Sequence, residues 1–363
     1  MRVIYLGAPI NQAATGGQRR TRCMLNYLRK SPHCEVAFVE PKKQHIRRNF
    51  VLTNLWYIVH LAAFRGQDVI ILQGYTYRFY FFAFNWLAKL LSGAKLVCLL
   101  NAFYFQYRTS GIKNWIDRWV SALFLKPMDL IVTAGEAASQ ELHTIFKPKC
   151  AVRSIYPALR SEFILAEPHT QRADNHADFR ILFVGRLHPV KGVEYLVEAI
   201  GLLRDHHCIQ ASIVGDSMYH PGYQRKIMRL VDELHVQDNI KFVSEIRDVN
   251  RLVELYREAD VFVLPSVWET SPIVLAEAMC LGLPIIASEV GGVPEFVESG
   301  VTGILYPPGD PQALAAAISM LIENKKELHR LRSNAIRHSI LFRQRTWKDV
   351  GEEYYQALLK LVE

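Results

Sequence analysis

Two cations and two carboxylates in the second half of the chain fall where they could handle a phosphorylated sugar. In FVGRLHPVKG, Phe183 to Gly192, a short apolar run ends at Val184 and Gly185 allows the chain to turn. Arg186 and Lys191 follow, and a helix opens near Gly192. A strand end, a glycine turn, two cations and a helix N-terminus together suit a diphosphate. Two solvated surface cations would produce the same segment. It is neither a Walker loop nor GxGxxG.

The second segment is PSVWETSPIVLAEAM, Pro265 to Met279. Ser271 and Pro272 read as the N-cap and first position of a helix. Glu269 lies in the loop before that helix and Glu277 in its second turn, with seven residues between them. Carboxylates so placed can accept hydrogen bonds from sugar and ribose hydroxyls. The helix start, with Ser271, Ile273 and Val274, faces a phosphate. A surface loop acid and a solvated helix acid are the plain alternative. In the third segment, Ser288 to Asp310, Gly291–Gly292 sets bare backbone beside a strand end and Pro294–Glu295 opens the next helix. Amides there could meet a base or a sugar, and an ordinary turn explains the glycines equally well.

These loops need strands to carry them. Arg180–Val184, Ala211–Val214, Lys241–Val243, Val261–Leu264, Pro284–Ala287 and Gly303–Leu305 are short apolar runs. Most are separated by helix-period stretches such as Val193–Leu203 and Ile273–Cys280. Alternation of this kind means βαβ units, a parallel sheet and ligands at the carboxyl ends of the strands. The first half reads similarly. Strands are expected at Arg2–Leu6, Glu35–Val39, Val69–Gln73, Lys95–Leu100 and Leu130–Thr133. Gly16–Gly17 reads as a turn before a helix that runs to about Arg29, with Met24, Leu25 and Leu28 on one face. Trp347 to Val362 is a helix with Val350, Tyr354, Leu358 and Leu361 on one face. The polar stretch 166–178 is the expected linker. The domains are then 1–165, 179–342 and a terminal helix, 343–363. There is no internal repeat and no low-complexity tract.

In this order and spacing, the second half from about Arg180 onward resembles the retaining glycosyltransferases of family 4, also called glycosyl transferases group 1. The features are the GR…KG loop, VGD at Val214–Asp216, the two glutamates, GGVPE, TGILYPPGD and the terminal helix. The resemblance implies the GT-B fold: two Rossmann-like domains facing across a cleft, the last helix crossing back to the first. It implies that Gly185, Arg186, Lys191, Gly215 and Asp216 bind a nucleotide diphosphate sugar, with Ser271, Ile273 and Val274. Glu277 would hold the ribose and Glu269 the sugar. Arg186, Lys191 and Glu269 would be the catalytic set, working with retention of configuration. The first half resembles the family more loosely. Gly16–Gly17 matches its N-terminal glycine loop, and YPALRSEF, Tyr156 to Phe163, resembles the segment that leaves the acceptor domain. Asn101 stands where the family often has a histidine, so Gly16, Gly17 and Asn101 mark the acceptor side. Thr270 to Ile273 replaces a glycine-rich stretch. A nucleotide-sugar epimerase, a hydrolase or a non-catalytic nucleotide-sugar binder would share the architecture.

No D-x-D sequence is present, so neither a metal nor a cofactor is expected beyond the nucleotide sugar itself. Six scattered cysteines without a CxxC pair suit a reducing cytoplasm. No targeting segment and no spanning helix are expected. Charge is split: residues 1–165 hold 22 Lys+Arg against 8 Asp+Glu, whereas the rest of the chain is net acidic. Arg19, Arg20 and Arg22, then Lys42, Lys43, Arg47 and Arg48 beside the apolar run 50–64, then Arg78 and Lys89 around FYFFAFNWLA, suit an anionic membrane face. Buried core helices with solvated cations at their ends would read alike. The expected partners are therefore a nucleotide sugar, a glycan or lipid-linked acceptor and a cytoplasmic membrane surface. No nucleic-acid motif is present.

Overall fold

The computed structural model describes residues 1–6, 16–38, 64–73, 81–100, 112–168, 178–215, 220–244, 246 and 248–363. Met1–Pro157 and Thr346–Glu363 form one compact unit, and Ala158–Arg345 a second.

The first unit is built on β1 (Arg2–Leu6), β2 (Glu35–Phe38), β3 (Val69–Gln73), β4 (Lys95–Leu99), β5 (Leu130–Thr133) and β6 (Ala151–Ser154). All pair in parallel, in the order β2-β1-β3-β4-β5-β6. The central strands are covered on both faces, so they read as unbroken apolar runs. Ile4, Leu6, Ile70, Leu72, Leu96, Cys98 and Ile131 fill the core together with Phe124 and Leu142. Among the described residues this unit carries α1 (Gly16–Lys30), α2 (Phe81–Ser92), α3 (Ile112–Leu125) and α4 (Glu136–Phe146), besides the last helix of the chain. The sequence hid β6. Among the described strands it pairs with β5 alone, at the sheet edge, half exposed along its length, and so carries no apolar run. Gly16–Gly17 begins α1 itself where the sequence suggested a turn.

The second unit repeats the plan with β7 (Phe179–Val184), β8 (Ile209–Val214), β9 (Ile240–Val243), β10 (Val261–Leu264), β11 (Ile285–Ser288) and β12 (Gly303–Tyr306). The order is β12-β11-β10-β7-β8-β9, again all parallel. Its helices are α5 (Ser161–Leu165), α6 (Val193–Leu203), α7 (Pro221–Glu233), α8 (Val249–Glu258), α9 (Ile273–Cys280), α10 (Pro311–Glu323) and α11 (Lys325–Arg343). The chain enters this unit at Ala158, ahead of the polar stretch 166–178. The reason is apolar: Ala158, Leu159 and Phe163 are buried, and Phe163 meets the Tyr256 ring edge-on at 5.3 Å. Residues 169–177 of the expected linker lie outside the described residues.

The last helix, α12 (Trp347–Val362), belongs to the first unit and packs on α1. Thr346 and Asp349 close a capping box at its start. Val350, Tyr354 and Leu358 are buried, and Leu361 only partly so. Contact with α1 is tight at Gly351, where a Cβ would sit 2.3 Å from Tyr27 Cγ and 2.5 Å from its Cβ. Beside it the Tyr27 hydroxyl donates to Glu352. A Gly351→Ala change gains helix propensity of about 1 kcal/mol, but the clash meets the fixed root of the tyrosine rather than its tip. Overpacking of this kind costs about 1–3 kcal/mol. We expect Gly351→Ala to lower the urea midpoint of unfolding; an unchanged or raised midpoint would show that the two helices can part without cost.

Candidate functional site

In the second sheet the chain runs outward from β7 through β8 and β9, then returns to the other side of β7 with β10. The switch point therefore lies between the carboxyl ends of β7 and β10, where open parallel sheets bind ligands. Both distinctive segments of the sequence leave from those two ends.

After β7, the Gly185 amide donates to Val214 O at 2.9 Å and the Gly215 amide to Val243 O at 3.0 Å, which fixes three neighbouring strand ends. Arg186 is exposed, and no ion pair to it is present among the described residues. His188 then opens a 3-10 turn, Pro189–Lys191, by accepting the Val190 amide on Nδ1 at 3.1 Å. Gly192 ends the turn at φ +60°, and a Cβ there would lie 2.0 Å from Pro265 O in the loop after β10. The same two loops are stitched by the Val267 amide on Val190 O at 2.9 Å. Lys191 is thereby brought to Glu269, with Nζ to Oε1 at 2.5 Å.

Glu269 is only 7% exposed. Its Oε1 also accepts from Ser266 Oγ at 2.7 Å. The loop after β11 closes the far side. The Gly292 amide donates to Glu269 O at 3.0 Å, and Gly291, at φ +46°, would place a Cβ 1.9 Å from that oxygen. The GG pair of the sequence thus braces the glutamate loop through its backbone.

At the start of α9 the structure corrects one expectation. Pro272, not Ser271, is the N-cap residue, and the Ser271 Oγ is buried with no hydrogen-bond partner among the described residues. The turn is tight: the Ile273 amide donates to Ser271 O at 3.0 Å and the Leu275 amide to Pro272 O at 2.9 Å. Among the described residues the Val274 amide has no acceptor, leaving an N–H at a helix N-terminus for an anion. Glu277, in the second turn, is 2% exposed. Its partners are Arg160, from Nε at 3.1 Å and Nη2 at 2.8 Å, and the Tyr256 hydroxyl at 3.2 Å. Sequence reasoning missed Arg160, Tyr256, Ser266 and His188. Arg160 left a faint signal, a lone cation in the otherwise apolar approach Ile155–Leu159.

The remaining expected positions divide as follows. Asp216 and Asn101 lie outside the described residues, as do Lys42, Lys43, Arg47, Arg48 and Arg78. Gly16 and Gly17 are the first residues of α1. Two cations expected at the surface have partners within the first unit, one of them buried and the other partly exposed. Arg20 is 1% exposed and donates to Ile155 O at 3.3 Å. Lys89 holds Asp129 and Pro127 O, each at 2.8 Å.

Electrostatics report the sign of the potential after β7. The His188 pKa falls from its usual 6.5 to about 4, through burial first and then through His220, Arg186 and Lys191. The His220 ring lies edge-on at 4.1 Å. A depressed folded-state pKa favours folding fully above 6.5, and that contribution is lost as pH falls through 6.5 toward 4. An anion beside Arg186 and Lys191 would reverse the repulsion. In a histidine NMR titration we expect His188 to titrate near 4 in the free protein and higher with pyrophosphate added. A midpoint near 6.5 that pyrophosphate does not move would show that the loop cations do not share its field.

Residues 167–338 match the family profile described as glycosyl transferases group 1. A D-inositol 3-phosphate glycosyltransferase of Corynebacterium glutamicum is 33% identical over 45% of this chain and 39% of its own length. The amylovoran biosynthesis glycosyltransferase AmsK of Erwinia amylovora is 32% identical over 42% of this chain and 38% of its own length. The matched stretch is thus about two-fifths of these relatives. Among solved structures, sucrose-phosphate synthase from Thermosynechococcus elongatus aligns over 99% of this chain and 98% of its own, with TM-score 0.78 and 21% identity. HepE of Anabaena, solved in complex with UDP, aligns over 99% and 100%, with TM-score 0.76 and 19% identity. The likeness to these structures is one of fold, two Rossmann-like units of the GT-B type. On this GT-B fold, the segment 167–338 that carries the interlocked loops is the part that matches the profile of the glycosyl transferases group 1.

Proposed function

We propose that the chain is a retaining, metal-independent glycosyltransferase. It moves a sugar from a nucleotide diphosphate sugar to a lipid-linked or surface-polysaccharide precursor at the cytoplasmic face of a membrane. The observation that carries the reading is the Lys191–Glu269 pair, 2.5 Å apart beside exposed Arg186 at the switch point. Breaking the glycosyl–phosphate bond leaves a diphosphate anion and an oxocarbenium-like sugar. Arg186, Lys191 and the Val274 amide would meet the anion, and Glu269 would accept a sugar hydroxyl. Glu277 would take the ribose. Lys191 and Ser266 both draw on Glu269 Oε1, which makes that carboxylate a weaker nucleophile. This favours front-face transfer, with the departing phosphate taking the acceptor's proton. HepE, with UDP in its structure, supports a nucleotide donor, and AmsK, with its role in amylovoran biosynthesis, supports a polysaccharide acceptor.

The test is release of nucleoside diphosphate from a panel of donors in excess EDTA, with and without membrane lipid extract. Epimerised or merely hydrolysed donor would point to the other enzyme classes. Arg186→Ala should lower turnover about 10²-fold or more without changing the melting temperature, because Arg186 is exposed. Lys191→Ala should lower both, since it strands a buried carboxylate. Adding Glu269→Gln should recover the melting temperature but not the turnover. Turnover like wild type in the two single variants would remove both cations from the mechanism.

The membrane part of the reading draws on the first unit. No helix among the described residues is long and apolar enough to cross a membrane. Helices α2 and α3 pack together, yet their outer faces carry Trp86, Leu87, Leu90 and Leu91, and Trp115, Ile116 and Trp119, all exposed. Leu90 is 80% and Trp115 67% exposed. Tryptophan suits the headgroup level of a bilayer. The residues of this unit include 23 Lys+Arg against 11 Asp+Glu, complementary to an anionic leaflet. Binding to phosphatidylglycerol liposomes should weaken in high salt yet persist in part, because rings insert as well as charges attract. Replacing Trp86, Trp115 and Trp119 together by Ser should abolish the salt-resistant part. Flotation of that variant indistinguishable from wild type would remove these faces from the contact.

A further inference from the structure

We propose that Arg160 is a positioning residue for the donor: it fixes the Glu277 carboxylate so that one oxygen is saturated and the other is presented to the ribose hydroxyls. The proposal rests on the reading of Glu277 given above. Arg160 and Glu277 form a buried pair, with side-chain exposures of 15% and 3%. Both guanidinium donors, Nε and Nη2, reach the same oxygen, Oε1. An oxygen that accepts two hydrogen bonds has no lone pair to spare. Among the described residues Oε2 receives the Tyr256 hydroxyl alone, at 3.2 Å, and keeps an acceptor site. A fork-on-fork pairing would have used both oxygens and left little for a ligand.

The surroundings hold this arrangement from the far side. The Arg160 guanidinium lies 4.8 Å from the centre of the Phe163 ring, Phe163 meets Tyr256 edge-on, and Tyr256 stacks on Phe262 at 5.5 Å. Burial, and then Glu277, push the Tyr256 hydroxyl well above its ordinary range, so it remains a donor. Stability alone is a poor account of the pair. A buried ion pair rarely outperforms apolar side chains of equal volume, and its best-attested use is to fix geometry. Glu269 shows the same division. Lys191 and Ser266 both take its Oε1, and no hydrogen bond to its Oε2 is present among the described residues.

The test compares binding of UDP, ADP and GDP, and of their 2′,3′-dideoxy forms, by calorimetry. Wild type, Arg160→Met, Arg160→Lys and Glu277→Gln are the proteins. We expect wild type to prefer one ribonucleotide over its dideoxy form by about tenfold or more, the scale of a hydrogen bond to a charged group. Arg160→Met should lose most of that preference while its dideoxy affinity stays within about threefold of wild type. Arg160→Lys should recover part of it, and should still report if Arg160→Met does not fold. With acceptor at saturation, the donor KM should rise more than kcat falls. Equal weakening of both ligand forms, or a full ribose preference in both Arg160 variants, overturns the assignment alone. Wild type that binds none of the three nucleotides overturns the reading of the site and the assignment with it.

Discussion

The loops after β7, β10 and β11 approach so closely that side chains cannot pass between them. A Cβ at Gly192 would stand 2.0 Å from Pro265 O, and one at Gly291 1.9 Å from Glu269 O. Hydrogen bonds from the Val267 and Gly292 amides close the same gaps. Lys191 reaches Glu269 because the backbones that carry them are already locked. Both glycines have positive φ, so the conformation and the close approach demand the same residue. Movement of any one of the three loops would displace the others, and preorganisation of this kind makes fixed charges effective.

The locked backbone lets the second unit bury two carboxylates. Glu269 and Glu277 are almost inaccessible, and an uncompensated buried charge costs several kcal/mol. Each is compensated by one cation and one hydroxyl: Lys191 and Ser266 for the first, Arg160 and Tyr256 for the second. The two cations come from different parts of the chain. Lys191 belongs to the loop after β7, whereas Arg160 lies just before α5, among the first residues of the unit. The ordering of that entry segment, with Phe163 buried behind it, is therefore a condition for the carboxylate in α9.

Most of the architecture was legible because parallel strands covered on both faces must be continuously apolar. Val69–Gln73, Leu130–Thr133 and Val261–Leu264 begin and end where the apolar runs do. The half-exposed edge strand β6 was lost for the opposite reason. Residue types at strand ends pointed to Lys191, Glu269 and Glu277, but not to how each is held. Arg160 and Glu277 are 117 positions apart, and no local pattern encodes such a pairing. Local patterns also misled. Ser271 before Pro272 looked like a cap, yet the chain turns so tightly there that the backbone carbonyls of Ser271 and Pro272 take the amides instead. Arg20 and Lys89 looked like surface charge because clusters of cations usually are solvated. Ile155 O takes Arg20 into the interior, and Pro127 O and Asp129 pin Lys89, which stays partly exposed.

The first sheet obeys the same topological rule as the second. Its order reverses between β1 and β3, so residues 7–15 and 74–80 follow the strands at its switch point, and residues 101–111, with Asn101, follow β4. Helices α2 and α3 leave from two of these segments. A helix that follows a strand's carboxyl end starts at the ligand edge of a parallel sheet. The exposed tryptophans sit on these two helices: Trp115 in the first turn of α3, Trp86 in the second turn of α2. In the proposed reading, the helices whose apolar faces would meet a bilayer thus begin at the carboxyl edge of the sheet, the edge expected to meet the acceptor. A sugar acceptor tethered to lipid needs that adjacency, because its reactive hydroxyl lies within a few ångströms of the headgroups. A soluble acceptor would need neither that adjacency nor the exposed tryptophans on α2 and α3.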